Sequence, residues 1–208
     1  MVKLPSVKRW YYIVLGVILV GGIVYIYMHR QQLGLVSSSA PTEGPQPAHI
    51  VWTTVDRSSE GFKLEMPADE KEVQVPAYNE TGSTDEVNML YAYPDGSTSY
   101  SIAWADNPPV ARAAGENAET TLDDARDGAL SRTQTVLVSE SKSTRQGYPV
   151  RDFTGKNDGG GLFNARLILA GQRLYLLMVA LPAASARSDS DVNRFFDSFR
   201  IVGAARND

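Results

Sequence analysis

The chain has 208 residues, of which 43% are apolar and 21% are charged, and it contains no cysteine. This composition is typical of one globular domain with an appendage, and it excludes disulfides, thiolate metal sites and cysteine nucleophiles. Residues 1–48 carry a net charge of +3 and the rest of the chain −7, so the domain lacks the basic stripe that binds phosphates, and we expect no nucleic-acid partner.

An uncharged, apolar segment runs over residues 10–28, after a short basic N-terminus at 1–9. As a helix this segment would span about 28 Å, close to the thickness of a bilayer's hydrocarbon core. Aromatic residues flank it at both ends and predict anchoring at the membrane interface: Trp10, Tyr11, Tyr12, Tyr25 and Tyr27. The positive-inside rule then predicts a single-pass protein of the cell (inner) membrane, with residues 1–9 in the cytoplasm and the domain on the periplasmic, extracytoplasmic side.

Two other interpretations of residues 10–28 stay open: a cleaved signal peptide, with a small-residue pattern at 38–40, and a buried core helix. The apolar run is longer than that of a usual signal peptide, which favours an uncleaved anchor. Three glycines form a notch against which another helix can pack: Gly16, Gly21 and Gly22. Because they do not form a G-x-x-x-G motif, a lone span and lateral packing are both compatible with the sequence.

Residues 29–48 are rich in serine, proline and glycine and predict a tether, followed by a folded domain at 49–202 and a tail at 203–208. Period-two alternation and turn residues predict strands at His49–Val55, Phe62–Met66, Val87–Tyr93, Ser99–Ala105, Thr135–Ser141, Val150–Gly155, Leu162–Ala170 and Arg173–Leu181. The last of these is apolar on both faces, which predicts a central strand that is covered on both sides.

Two helices are predicted beside these strands. Asn117 is expected to cap a helix that runs to about Arg132, and Ser188 to cap a second one. The second helix carries an apolar stripe made of Val192, Phe195, Phe196 and Phe199. The sequence therefore predicts an α+β domain, in which an antiparallel sheet is flanked by helices.

Several segments of the domain resemble the PsbP-like family. They are the Gly-Phe-x-x-x-x-Pro opening at Gly61–Pro67, Gly147-Tyr148-Pro149 before a strand, the paired strands of Asn164–Pro182 around Gly171-Gln172, and the closing Phe195–Phe199. The resemblance covers about residues 49–202 and implies an α-β-α sandwich. Family members include extrinsic subunits of photosystem II, small Ran-binding import factors and exported bacterial proteins of unknown role. No shared active site comes with this fold, so the resemblance transfers no functional residue.

From Ile50 onward the chain has neither histidine nor cysteine, which excludes Ser-His-Asp triads, Cys-His dyads and imidazole-ligated metals in the domain. Gly159–Gly161 lacks the pattern of a phosphate loop and predicts a wide hairpin turn. The carboxylates that remain as candidates are Asp123, Asp124, Asp127, Asp189 and Asp191. A hard cation needs about six oxygens, so we expect these groups to be solvated near helix ends. The sequence therefore predicts no catalytic residue, no metal site and no cofactor.

The sequence as a whole predicts a non-catalytic, membrane-anchored interaction module that contacts other subunits of a membrane protein complex. The family resemblance implies an accessory subunit of an energy-transducing complex, such as a photosynthetic one. The alternative is an extracytoplasmic domain that binds or senses a small molecule or cation, in a pocket lined by Tyr91, Tyr93, Tyr100 or Trp104. A third hypothesis, a carboxylate-based hydrolase, has no identifiable acid–base pair.

Overall fold

A computed structural model of the protein describes residues 49–78, 84–106, 117–183 and 189–203. The predicted anchor at 10–28, the tether and the predicted cap at Ser188 lie outside these ranges. Among the residues described, no helix has the length and apolar character needed to cross a membrane. The fold can therefore be followed for the domain, and the anchor stays a prediction of the sequence.

Within the described ranges the chain forms two helices and two antiparallel sheets. The strands are β1 (Trp52–Arg57), β2 (Phe62–Pro67), β3 (Lys71–Tyr78), β4 (Thr84–Ala92), β5 (Ser99–Asp106), β6 (Val136–Arg145), β7 (Tyr148–Lys156), β8 (Leu162–Ala170), β9 (Arg173–Leu181) and β10 (Arg200–Ile201). The helices are α1 (Ala118–Thr133) and α2 (Asp189–Ser198), and a 3-10 turn (Ser58–Glu60) joins β1 to β2. The small sheet has the order β1-β2-β10, and the large sheet has the order β3-β4-β5-β9-β8-β7-β6.

Both faces of the large sheet are covered. On one face α1 buries Leu122 and Ala125 against strand residues such as Leu167. On the other face the small sheet and α2 bury Phe62 and Phe195 in a second core. Burial of these two apolar clusters is the main term that holds the layers together. The predicted α+β class is confirmed, with a central sheet between α1 and a mixed layer of strands and helix.

The elements with strong boundary signals are where the sequence predicts them. The bounds of β8 and β9 match to the residue, and β9 lies in the middle of the large sheet with both faces buried. Asn117 caps α1, since its side chain accepts a hydrogen bond from the Thr120 N–H at 3.1 Å. The turn at 157–161 is also confirmed, because the Gly161 N–H donates to Oδ1 of Asn157 at 2.8 Å.

Other predictions need correction. The sequence predicts one sheet, but β1 and β10 both pair with β2, on its two sides, and the three strands form a second sheet. The strand predicted at His49–Val55 lies at Trp52–Arg57, and the strand predicted to end at Ser141 continues to Arg145. β3 was not predicted. It contains a proline and begins with two charged residues, so it lacks the regular alternation of polar and apolar residues that indicates a strand.

Candidate interaction surface

β6 forms one edge of the large sheet and is exposed along its length, with every residue from Val136 to Thr144 at the surface. Its N-terminal end is apolar, and Val136, Leu137 and Val138 have exposed fractions of 71%, 43% and 59%. In the part of the chain that the structure describes, β6 pairs with β7 alone, and α1 lies mainly over β7 and β8. An edge strand presents unpaired N–H and C=O groups, so it is suited to binding another protein strand.

A two-residue turn fixes the register of β6 on β7. Gln146 and Gly147 have φ values of 50° and 82°, as a type I′ turn requires. On either side of them Arg145 pairs with Tyr148. The Gln146 side chain also holds β10, since its Nε2 donates to the Ile201 C=O at 3.0 Å and its Oε1 accepts from the Ile201 N–H at 2.9 Å. These two hydrogen bonds therefore fix the position of the turn relative to the small sheet.

The direction in which the backbone N–H and C=O groups point alternates from residue to residue along β6. Because Arg145 and Tyr148 close a two-residue hairpin, they exchange their backbone hydrogen bonds with each other. Every second residue back along β6 does the same with β7, and the residues between them point N–H and C=O outward. The outward-pointing residues are Glu140, Lys142 and Thr144. A bulge between Leu137 and Ser139 ends this regular stretch.

A buried arginine fastens β6 to α1. Arg151 of β7 is fully buried, and its guanidinium group contacts Glu119 at 2.9 Å, Glu140 at 2.7 Å, and Asp123. Arg126 of α1 also reaches Glu140, at 2.6 Å. A fully buried guanidinium is stable only when its charge is compensated by well-placed acceptors. The network therefore holds an exposed strand in place where little apolar surface covers it.

The same contacts set the protonation of the carboxylates in this network. Burial alone would raise the pKa of Glu140, but hydrogen bonds from Arg151 and Arg126 outweigh burial and lower it below its ordinary value. The pKa of Asp124 is shifted in the opposite direction. Burial and the charge of Asp127 raise the pKa of Asp124. Glu140 is therefore fully ionised at neutral pH.

The other carboxylates that the sequence singles out have mixed outcomes. Asp123 and Asp127 both pair with Arg126, at 3.3 and 2.7 Å, and their side chains remain 41% and 65% exposed, so they are solvated as expected and ion-paired as well. Asp189 and Asp191 lie in the first turn of α2 as predicted. No group of three or more metal-ligating side chains occurs within the described ranges. Asp123 and Asp127 thus serve as ion-pair partners.

The four aromatic residues expected to line a ligand pocket do not share one face of the sheet. Tyr100 and Trp104 are 0% and 3% exposed and belong to the core under the small sheet. Tyr91 packs against the opposite core, on the α1 side, and its ring lies 5.8 Å from that of Tyr93. Alternation along β4 and β5 separates the two pairs, so the four rings cannot line one pocket together.

A shallow cleft of about 490 Å³ lies between the small sheet and α2. Its lining is mostly charged or polar and consists of Thr54, Lys63, Leu64, Glu65, Arg194, Asp197, Ser198 and Arg200. Arg194 binds Glu65 at 2.6 Å and stacks over the Trp52 ring at 4.8 Å, while Lys63 binds Asp56 at 2.7 Å. Much of the charge in this cleft is therefore already paired within the domain.

The site residues predicted for the membrane segment lie outside the described residues. They are the interface anchors Trp10, Tyr11, Tyr12, Tyr25 and Tyr27, and the packing glycines Gly16, Gly21 and Gly22.

The sequence did not lead us to predict that β6 is an exposed surface or that Arg151 holds β6 in place. The available signal was the run Val136–Val138 followed by a strand with no apolar alternation, which indicates that neither face is buried.

No protein-family model matches the chain, and no curated protein matches it in sequence. In fold it is similar to the solution structure of cyanobacterial PsbP (CyanoP) from Synechocystis sp. PCC 6803, at 13% identity and a TM-score of 0.48, covering 79% of this chain and 98% of that one. It is also similar to the crystal structure of a protein of unknown function from Pseudomonas aeruginosa, at 14% identity and a TM-score of 0.33, covering 64% of this chain and 84% of that one. The first comparison confirms a weak PsbP-like resemblance at the level of fold, and at these TM-scores neither comparison bears on function.

Proposed function

We propose that this chain is a non-catalytic, single-pass membrane protein whose folded domain is an interaction module. It serves as an accessory or structural subunit of a larger membrane protein complex. Its N-terminus lies in the cytoplasm, its domain lies on the extracytoplasmic side, and its partners are the bilayer and other subunits of the complex. The narrower role in an energy-transducing complex stays a prediction from the family resemblance.

The observation that carries this proposal is the β6 edge. A long edge strand that is exposed on both faces is a hazard for a protein that works alone, because it recruits other strands. Here the strand is not buried under α1 but held out from the domain by the Arg151 network. The exposed apolar end at Val136–Val138 adds surface that gains free energy when a partner covers it. Both features support a surface that is used for contact.

Support for the membrane anchor comes from the sequence alone. The segment 10–28 has the length, the aromatic flanks and the basic N-terminal side of an uncleaved anchor. The tether that follows allows the domain to stand away from the bilayer. Such an anchor confines the domain to a surface and raises its effective concentration next to membrane-bound partners.

Support for a non-catalytic role comes from the side chains of the domain. Histidine and cysteine, the commonest acid–base and nucleophilic groups, do not occur after His49. Asp123 and Asp127 of α1 are ion-paired with Arg126. The chemistry that remains favours binding over catalysis.

The test is purification of the tagged full-length chain from native membranes in mild detergent. We expect the wild-type protein to migrate in a complex with other proteins, and Val138→Lys to lose them, because a charge at the apolar end of β6 opposes burial. Val51→Lys is the matched control, since Val51 is 66% exposed and lies outside β6. Migration of the wild-type chain as a free monomer would contradict the proposal, and equal losses in both variants would move the contact away from β6.

A second candidate function, capture of a small molecule, has the cleft between the small sheet and α2 in its favour. Three cations line it against two carboxylates, Lys63, Arg194 and Arg200 against Glu65 and Asp197, and this small positive excess suits an anion better than the cation considered from the sequence. A thermal-shift screen of the full-length chain with small anions tests this function. A stabilisation that Arg200→Gln removes would support it, and no stabilisation would exclude it in favour of the interaction module.

A further inference from the structure

The β6 strand is complementary to itself. We propose that β6 pairs antiparallel with β6 of a second copy of this chain, about a two-fold axis at Ser141, so that the two large sheets become one. The inference rests on the proposed function, because it names the partner of the same edge. It differs from that function in requiring a particular partner and a particular register.

Backbone geometry restricts the registers that two β6 strands can adopt. Glu140, Lys142 and Thr144 point their N–H and C=O groups outward, and in a paired dimer they must face outward-pointing residues of the other copy. The two-fold axis must then pass through a residue of β6 and not between two residues. If one copy is shifted by one residue along the other, the axis falls between two residues. Residues with outward-pointing N–H and C=O groups then face residues whose groups point inward, toward β7, and no ladder forms.

Charge then selects among the allowed registers. An axis at Ser141 places Glu140 of each copy opposite Lys142 of the other, and symmetry repeats the pair. An axis at Lys142 or at Glu140 places two like charges directly opposite each other, which is destabilising in an antiparallel pair. An axis at Ser143 places Lys142 opposite Thr144 and gains no charge pair. The register centred on Ser141 is therefore favoured.

The surroundings of Glu140 strengthen this selection. On the α1 side of β6, four carboxylates surround two guanidinium groups: Glu119, Asp123, Asp127 and Glu140 around Arg126 and Arg151. In a single copy Lys142 also lies at this region, with its Nζ 2.7 Å from Glu119, and one net negative charge remains. That charge attracts a cation from a second copy. In the dimer each Lys142 lies between the acidic regions of both copies.

The edge also has room for a second strand. The residues that alternate with the charged ones are small and exposed: Ser139, Ser141 and Ser143. Because α1 lies mainly over β7 and β8, the helices of two paired copies would be separated by the width of several strands. Each Glu140–Lys142 pair then exchanges both of its backbone hydrogen bonds, as in any antiparallel ladder.

The opposite edge of the large sheet explains why the assembly closes at two copies. That edge is β3, and it contains Pro76, which has no N–H to donate. Pairing of β6 with β3 would build an open fibre, whereas pairing of β6 with β6 is isologous and uses up the open edge. Pairing of β6 with β6 in a closed dimer is therefore favoured over pairing of β6 with β3 in an open fibre.

The register can be tested by disulfide trapping, because the chain contains no cysteine of its own. In the proposed dimer the two Ser141 residues face each other in a non-hydrogen-bonded pair, at a Cα separation of about 4.5 Å that a disulfide can bridge. The two Ser143 residues would be about 13 Å apart, four residues along the strand. Under mild oxidation of the full-length chain in detergent, we expect Ser141→Cys to form a covalent dimer and the equally exposed Ser143→Cys to stay monomeric.

Mixing two variants gives an independent check of the same register. Ser139 of one copy faces Ser143 of the other, so Ser139→Cys and Ser143→Cys should cross-link only when the two proteins are mixed. Circular dichroism of each variant confirms that it is folded. Equal cross-linking of Ser141→Cys and Ser143→Cys, or cross-linking of neither, would overturn the proposal.

A charge variant separates this inference from the proposed function. Lys142→Glu puts two carboxylates opposite each other at both symmetric pairs, and we expect self-association to weaken by about tenfold or more. Lys71→Glu, an exposed position on β3, should leave it unchanged. If the wild-type chain co-purifies with other proteins and never with a differently tagged copy of itself, the inference fails and the proposed function stands. If it co-purifies with nothing, the proposed function fails.

Discussion

The two edges of the large sheet, β3 and β6, differ in how well they are protected against pairing with another strand. β3 contains a proline, and Glu72 at its start is held by Arg57 of the small sheet at 2.6 Å. β6 has no proline and no contact of this kind from the small sheet along 136–144. A proline on an edge removes a donor, and a neighbouring element restricts approach, so β3 is protected against strand addition. One sheet therefore has a closed edge and an open one, and the open edge is the part of the domain that we assign to contact.

The largest expected effect comes from the arginine that supports the open edge. Arg151→Met keeps most of the buried volume but leaves Glu119, Asp123 and Glu140 without their shared cation. The three carboxylates remain 22–56% exposed, so the loss is smaller than for a fully buried ion cluster, and we expect the free energy of unfolding to fall by about 2 kcal/mol. Urea unfolding of the full-length chain in detergent measures the change.

The matched control is an exposed arginine that also binds one carboxylate. Arg194 is 47% exposed in its side chain and pairs with Glu65. Arg194→Met should lower the free energy of unfolding by less than about 1 kcal/mol, as is usual for surface pairs. Equal effects of the two substitutions would mean that the Arg151 network does not support β6.

A smaller effect is expected from pH. Because hydrogen bonds from Arg151 and Arg126 lower the pKa of Glu140 in the folded state, the ionised carboxylate contributes stability above its ordinary pKa. That contribution is lost as the pH falls through the lowered pKa of the folded state. Glu140→Gln should therefore reduce stability at neutral pH, by about 1 kcal/mol, and flatten the loss of stability between neutral pH and about pH 3.

Unfolding free energies of wild type and Glu140→Gln over that pH range test this expectation. Glu65→Gln is a useful comparison, because its pKa is also lowered, in this case by the hydrogen bond from Arg194 at the surface. The wild-type and Glu140→Gln curves should converge at acid pH. Curves that run parallel would show that Glu140 does not carry the pH dependence.

The smallest effect is expected at the closed edge. The Arg57–Glu72 pair is partly exposed, with 30% and 46% of the two side chains accessible. Arg57→Ala should change the free energy of unfolding by about 0.5 kcal/mol or less. If it instead promotes self-association of the chain, measured by analytical ultracentrifugation, then this contact protects the β3 edge more than its energy suggests.

The sequence predicts best those elements that have strong signals at both ends. β8 lies between the turns at 157–161 and 171–172, and β9 lies between the second turn and Pro182. Both strands are apolar almost throughout, so their bounds follow from the turns and the pattern. The cap at Asn117 follows from a short-range rule as well. These are local properties, and local properties can be read from one chain.

The missed features depend on residues that are far apart in the chain. Arg151 is one charged residue in a strand, and its role becomes visible only when Glu119 and Glu140 are brought to it from a helix and another strand. The extension of β6 beyond Ser141 is set by the turn at Gln146 and by pairing with β7, not by apolar alternation. The second sheet likewise depends on β10 returning to β2, which no local pattern indicates.

Hydrogen exchange of the β6 backbone amides tests the central claim most directly. In the full-length chain, concentrated in detergent, the outward-pointing amides of Glu140 and Lys142 should exchange slowly and speed up on dilution or in Lys142→Glu. The amide of Ser141, which already bonds β7, should change much less. The contrary result is that the amides of Glu140 and Lys142 exchange as fast as solvent-exposed amides at every protein concentration, also in the presence of co-purified proteins. In that case β6 is not a contact surface.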